Sequence, residues 1–126
     1  MRPIILTVDD SKTLRLIVER TLADFDCEVT EASNGYNAFF AIERARPDLI
    51  LLDVSMPVMD GVETLTRLKR TAELAAIPVL MLTSRADHAV MNQLAALGAA
   101  GTLMKPFDGA ALLAKIRGIV DLKPKG

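Results

Sequence analysis

At 126 residues the chain has the length of a single domain, enough to enclose one core and short for a regulatory domain joined to an effector. Hydrophobic residues make up 51% of it, and 15 basic against 16 acidic side chains leave a net charge of −1, which excludes a disordered chain and a basic stripe for nucleic acid. The single Cys27 excludes a disulfide framework and a thiolate metal cluster, and "MRPIILTVDD" is too short an apolar run for a signal peptide or a membrane span, so a cytoplasmic location is expected.

The first apolar run, Ile4–Val8, ends at Asp9-Asp10, and Ser11 or Asp10 can cap the helix marked by Leu14, Ile17, Val18 and Leu22. Cys27–Glu31 is the second run, with Cys27 read as a small buried thiol. Asn34 then caps a helix carrying Ala38, Ala41, Ile42 and Ala45 at helical spacing. Leu49 to Leu52 lack polar alternation, which implies a strand covered on both faces, and this run stops at Asp53. Pro57 and the pair Asp60-Gly61 shape the loop that follows, before Leu65 and Leu68 resume the helical pattern. Val79–Leu82 ends at Thr83-Ser84. A helix capped by Asp87 or Ser84 carries Val90, Leu94 and Leu97 and stops at Gly98. Its stretch "HAVMNQLAALGAAG" has no charge beyond His88, a solvated residue, and reads as a helix with a wide buried face in preference to an apolar docking patch. Thr102–Met104 leads to Lys105-Pro106, Asp108 caps the last helix with Leu112, Ile116, Ile119 and Val120, and residues 122–126, "LKPKG" after Asp121, are expected to fray.

Alternating strand and helix patterns with buried strands predict an α/β domain spanning residues 1–126, a doubly wound five-stranded parallel sheet with helices on both faces. In such sheets ligands bind beyond the carboxyl ends of the strands, where strand order reverses. Polar groups stand at those ends: Asp9 and Asp10, Asp53, Thr83 and Ser84, and Lys105. Any one could be a cap or a strand terminator. Lys105 is not a capping residue, however, and Asp9 precedes the cap.

Three carboxylates gathered there would repel one another unless a cation sat among them, and all-oxygen ligation with room for water suits Mg²⁺. Lys105 would supply a mobile positive charge and Thr83 a hydroxyl donor for a phosphoryl oxygen. Asp53 is then a plausible nucleophile, since carboxylates form aspartyl phosphates and phosphoryl transfer needs mainly positioning and charge neutralisation.

The pieces "VDDS" (8–11), "LLDVSMPVMDG" (51–61), "LTS" (82–84), "GAAG" (98–101) and "KPF" (105–107), in this order and spacing, closely resemble the receiver domains of bacterial two-component response regulators, in particular single-domain CheY-like members. The resemblance covers about Ile4 to Val120 and implies the (βα)5 flavodoxin-like receiver fold with strand order 2-1-3-4-5. It implies that Asp53 is the phosphoacceptor, that Asp9, Asp10 and Asp53 hold Mg²⁺ with the backbone carbonyl of Ser55, that Thr83 is the switch hydroxyl, and that Lys105 precedes a cis proline. The partners so implied are a sensor histidine kinase or phosphotransfer protein and a protein target docking on residues 86–120, with no nucleic acid, no membrane insertion and a monomeric chain. Thr102 departs from the pattern, because many receivers carry an aromatic ring three residues before the lysine. Phosphorylation chemistry is expected to be intact and the aromatic part of the output switch absent or replaced. Ser55 and Arg85 stand where this family tunes the lifetime of the phosphoryl group; Arg85 either shields that group or is a solvated charge.

The expected function is phosphoryl acceptance coupled to a change of affinity for a target, not enzymatic turnover. A relay intermediate, a phosphate sink and a receiver cut from a larger regulator remain alternatives. An aspartyl-phosphate phosphohydrolase would want a second acid two residues after the nucleophile, where this chain has Ser55. A flavodoxin would want a hydroxyl- and glycine-rich first loop, where this chain has two carboxylates.

Overall fold

The computed structural model describes residues 2–126. Five strands, β1 (Ile4–Val8), β2 (Glu28–Ala32), β3 (Leu49–Asp53), β4 (Val79–Thr83) and β5 (Gly101–Met104), form one parallel sheet in the order β2-β1-β3-β4-β5. Parallel pairing requires crossovers, supplied by α1 (Lys12–Leu22), α2 (Gly35–Arg44), α3 (Gly61–Arg70) and α4 (Met91–Ala96), with α5 (Gly109–Arg117) following the last strand. All residues of β3 and β4 are buried, as expected of central strands covered on both faces.

Side-chain alternation along the strands divides the core into two. Leu6, Val8, Ile50, Leu52 and Met81 pack under Ala38 and Ile42 of α2, Leu65 and Leu68 of α3 and Leu94 of α4. Ile5, Leu49, Leu51, Leu80, Leu82 and Leu103 pack under Leu14, Val18 and Leu22 of α1 and Leu112 and Ile116 of α5. Local chemistry sets the helix starts. Ser11, Asn34 and Asp108 accept from the backbone N–H groups of Leu14, Asn37 and Ala111, and Asp60, which the sequence marks only as a turn residue, caps α3 through the Glu63 N–H. Gly98 has a φ of +90°, the left-handed conformation that ends the fourth helix.

Three expectations are corrected. The helix after β4 does not begin as an α-helix: Arg85–Val90 is a 3₁₀ turn, and only Met91–Ala96 is α-helical. Its buried face is narrow, with Leu94 alone buried in α4 while Asn92, Gln93, Ala95 and Ala96 are exposed. Alanine is the reason, because one methyl group gains less than about 1 kcal/mol from burial and does not dictate which face turns inward.

The third correction concerns the tail. Residues 122–126 do not splay into solvent: Leu122 is buried in the α1–α5 core, Lys123 O accepts from Asp26 N, Lys125 N donates to Asp24 O, and Pro124 bridges to Phe25. Gly118 closes α5 before Ile119 and Val120, so the chain turns back across the α1–β2 connection and delivers Leu122 to the core. Lys, Pro and Gly make the segment polar in composition, and its one leucine anchors it.

Two stability outcomes follow. Leu122→Ala should lower the unfolding free energy by about 2 kcal/mol in urea titrations, the low end for a buried leucine because the site lies at the core margin. Val58, exposed in the loop after β3, has a φ of +70°, a conformation that costs a β-branched residue on the order of 1–3 kcal/mol. Val58→Gly should therefore raise stability by about 1 kcal/mol in the same assay, the remainder being lost to the greater freedom of glycine in the unfolded chain.

Candidate functional site

The strand order puts β1 beside β3 and β4 beside β3, so the residues that end these strands converge at one edge of the sheet. Asp9 follows β1 and is fully buried, Asp53 closes β3 and is 5% exposed, and Asp10 is exposed beside them. Each of the three offers a carboxylate oxygen, and these oxygens lie within 4.8 Å of one another.

Lys105, carried by the loop after β5, reaches across β4 to this group. Its Nζ donates to Asp9 Oδ2 and to Asp53 Oδ1, both at 2.9 Å. The Lys105 N–H donates to Thr83 O, which ties the end of β5 to the end of β4, and the Lys105-Pro106 peptide is cis. Asp9 is fixed from other sides as well. Its Oδ1 accepts from Ser11 N at 2.7 Å, and its carbonyl accepts from Arg15 Nη1 at 2.5 Å, while Arg15 Nε pairs with Glu31 at 3.6 Å.

The loop leaving Asp53 returns close beneath it. Gly61 N donates to Val54 O at 2.8 Å, and a Cβ on Gly61 would stand 2.2 Å from Asp53 O, so this helix start accepts only glycine without moving the end of β3. Thr83 is 1% exposed, and its Oγ1 has no hydrogen-bond partner. The Thr7 and Thr30 hydroxyls also lack partners among the described residues, but they lie within β1 and β2, whereas Thr83 ends β4 at the edge where the carboxylates gather.

Burial raises the Asp53 pKa; the hydrogen bond from Lys105 opposes this, and the Asp9 and Asp10 charges add to the rise. For Lys105 burial works against the charged form, but its hydrogen bonds to Asp53 and Asp9 prevail and its pKa is raised. The pocket thus holds excess negative charge that one ammonium does not relieve. Hard oxygen donors in excess of positive charge suit a divalent cation such as Mg²⁺, which would be held by Asp9, Asp10 and Asp53.

Residues 5–117 match the family model of the response regulator receiver domain. The chain belongs to that family. It is 35% identical over 113 residues to the chemotaxis protein CheY-3 of Vibrio cholerae, covering 89% of this chain and 87% of that protein. It is 32% identical to Protein PilG of Pseudomonas aeruginosa, covering 90% and 84% of the two chains. The solved structure of the chemotaxis response regulator CheY4 of Vibrio cholerae superposes with a TM-score of 0.87 at 35% identity, over 95% of this receiver and all of that chain. The receiver is CheY-like, with the five-stranded fold and strand order of those structures.

One feature of the receiver is not legible in the residue pattern. Asp87, a candidate cap in the sequence, accepts from Ser84 N and Ser84 Oγ and also from Ser55 Oγ, 32 positions away, which no local motif signals. Thr102 lies opposite Met81 on the edge strand β5, half-buried, where a ring would have occupied far more space. Arg85 is exposed. Met104, half exposed, lines a shallow pocket with Ser84, Arg85, His88 and Met91.

The raised Asp53 pKa has a stability consequence. A folded carboxyl that ionises less readily than the unfolded one binds more protons in the native state, so this group's contribution is absent below the unfolded pKa and becomes a penalty as pH rises through the folded pKa. Asp53→Asn should therefore raise the thermal midpoint at neutral pH without divalent cation, and the difference from wild type should vanish at acid pH where Asp53 is protonated in both states. Paired calorimetric scans at pH 7 and pH 3 check the sign.

Proposed function

We propose that this receiver accepts a phosphoryl group on Asp53 in a Mg²⁺-dependent reaction, taking it from the phosphohistidine of a sensor kinase or phosphotransfer protein, and thereby changes its affinity for a protein target. The observation that carries the reading is the sharing of Lys105 Nζ between Asp9 and Asp53 beside a buried Thr83 hydroxyl that lacks a partner.

On this reading Asp53 Oδ attacks the donor phosphorus in line, an O–P bond forms, and the P–N bond to the donor imidazole breaks, with the imidazole leaving on its nitrogen. Asp9, Asp10 and Asp53, with the Ser55 carbonyl, would hold the cation. When bound, the metal supplies neutralisation of phosphoryl charge. Lys105 can move one of its hydrogen bonds from the carboxylate to a phosphoryl oxygen, keeping its charge against Asp9. Thr83 Oγ1 donates to another phosphoryl oxygen and so gains the partner it lacks.

Output on this reading is a shift of the Thr83 loop that biases a pre-existing equilibrium of the fourth helix and β5, without a rotating ring at Thr102. A chemotaxis role is a further proposal, supported by the names of the relatives. The docking surface falls within residues 86–120, where the exposed side chains of α4 are Asn92, Gln93 and alanines, and Met104 is exposed beside them. A phosphohydrolase is disfavoured because the position two after Asp53 carries the Ser55 hydroxyl, engaged with Asp87, and no acid for a leaving group.

Intact-mass analysis after incubation with acetyl phosphate and Mg²⁺ should show one phosphoryl adduct on wild type, and none on Asp53→Asn or in EDTA. Lys105→Ala should reduce adduct formation by about 100-fold or more, as expected when a donor to the developing charge is removed. An adduct on Asp53→Asn would place the acceptor elsewhere. Mg²⁺ at about a hundredfold its dissociation constant should stabilise wild type by about 2.7 kcal/mol and leave Asp10→Asn nearly unmoved at the same concentration.

A further inference from the structure

Asp87 is a buried carboxylate that pairs with no Lys or Arg among the described residues. Its charge is held instead by neutral donors: Ser84 N at 2.7 Å and Ser84 Oγ at 3.1 Å on Oδ2, and Ser55 Oγ at 3.1 Å on Oδ1. The two Ser84 bonds belong to the start of the 3₁₀ turn and would exist in any well-capped helix. The Ser55 bond is different in kind, because it joins the loop that follows Asp53 to the loop that follows Thr83.

Those two loops must shift relative to each other if Thr83 is to find a partner on Asp53. Thr83 Oγ1 is buried and makes no hydrogen bond in the present arrangement, so the loop is held where its hydroxyl is unsatisfied. Ser84 and Asp87, bonded to each other, follow Thr83 directly in the chain, whereas Ser55 follows Asp53 at the end of β3. The Ser55–Asp87 bond is the side-chain contact between these two segments that such a movement strains.

We propose that the Ser55–Asp87 hydrogen bond is a latch that holds the Thr83 loop in its open position, and that Asp87 is thereby a positioning residue for phosphoryl capture. The proposal rests on Asp53 being the phosphoacceptor. A hydrogen bond to a charged acceptor corresponds to roughly a tenfold shift in an equilibrium, enough to set the population of the closed loop. Ser55 is exposed and its carbonyl is unaffected by truncation of the side chain, so Ser55→Ala cuts the latch while leaving the Ser84 bonds and the metal-facing backbone in place.

Beryllium trifluoride, a tetrahedral mimic of an aspartyl phosphoryl group, provides the ligand, and calorimetric titration with Mg²⁺ present provides its affinity. Ser55→Ala should bind it roughly tenfold tighter than wild type, Ser55→Thr should behave as wild type, and the Ser55→Ala effect should disappear in an Asp87→Ala background, which has no side-chain acceptor for Ser55 Oγ. In the metal-free protein, amide hydrogen exchange at residues 84–90 should be faster in Ser55→Ala and unchanged in Ser55→Thr. Unchanged or weaker binding by Ser55→Ala, or an effect that persists with Asp87→Ala, overturns the latch. If wild type takes up no beryllium trifluoride, the phosphoacceptor reading fails and the positioning role with it, while exchange still decides whether this bond restrains the loop.

Discussion

One ammonium group shared by two carboxylates holds the functional end of this sheet together. Asp9 and Asp53 end neighbouring strands, so their charges are forced close by the backbone register, and Asp10 adds a third. Without Lys105 the buried Asp9 and Asp53 carboxylates would face each other with no basic partner among the described residues. Lys105 arrives from the far side of β4, on a loop tied to the Thr83 carbonyl, so the same residue that offsets the charge also fixes where β5 ends relative to β4. The compensation is incomplete, as the raised Asp53 pKa shows. A pocket left with excess negative charge suits a divalent cation.

Around this contact the neighbouring segments are tied down to different degrees. The loop after β3 is pinned by Gly61, which approaches Asp53 too closely to admit a side chain, and the β1 end is pinned by the bonds from Ser11 and Arg15 to Asp9. The segment after β4 is held more lightly. It begins as a 3₁₀ turn, rests on Asp87, which has no salt bridge among the described residues, and leads into a helix whose only buried side chain is Leu94. Few buried side chains and a short helix place it at the low-stability end of the fold. Thr102 on the neighbouring strand supplies no ring to pack against.

How much of this could be read from residues alone differs from element to element. Ile4–Val8 was delimited to the residue, β3 and β4 to within one, because unbroken apolar runs ending at polar residues leave little choice in a parallel sheet. Ser11, Asn34 and Asp108 were identified as caps because capping is a local interaction between neighbouring residues. The α4 region was misjudged because alanines count as apolar in a pattern yet exert little pull toward the core. The tail was misjudged because Leu122 is a single residue in a polar stretch, and its burial depends on where α5 happens to stop. The Ser55–Asp87 bond was invisible because both residues have ordinary local explanations.

The sequence by itself determined the alternation of elements, the family resemblance and the set of polar residues at the strand ends, since each is a matter of residue type and spacing along the chain. Only the tertiary structure decided which of those residues meet. That Lys105 bridges Asp9 and Asp53, that the Thr83 hydroxyl is sealed in without a partner, and that Asp87 reaches Ser55 are consequences of strand order and loop path. Contacts between groups 32 to 96 positions apart are set by the packing of the whole core, and no local pattern encodes them.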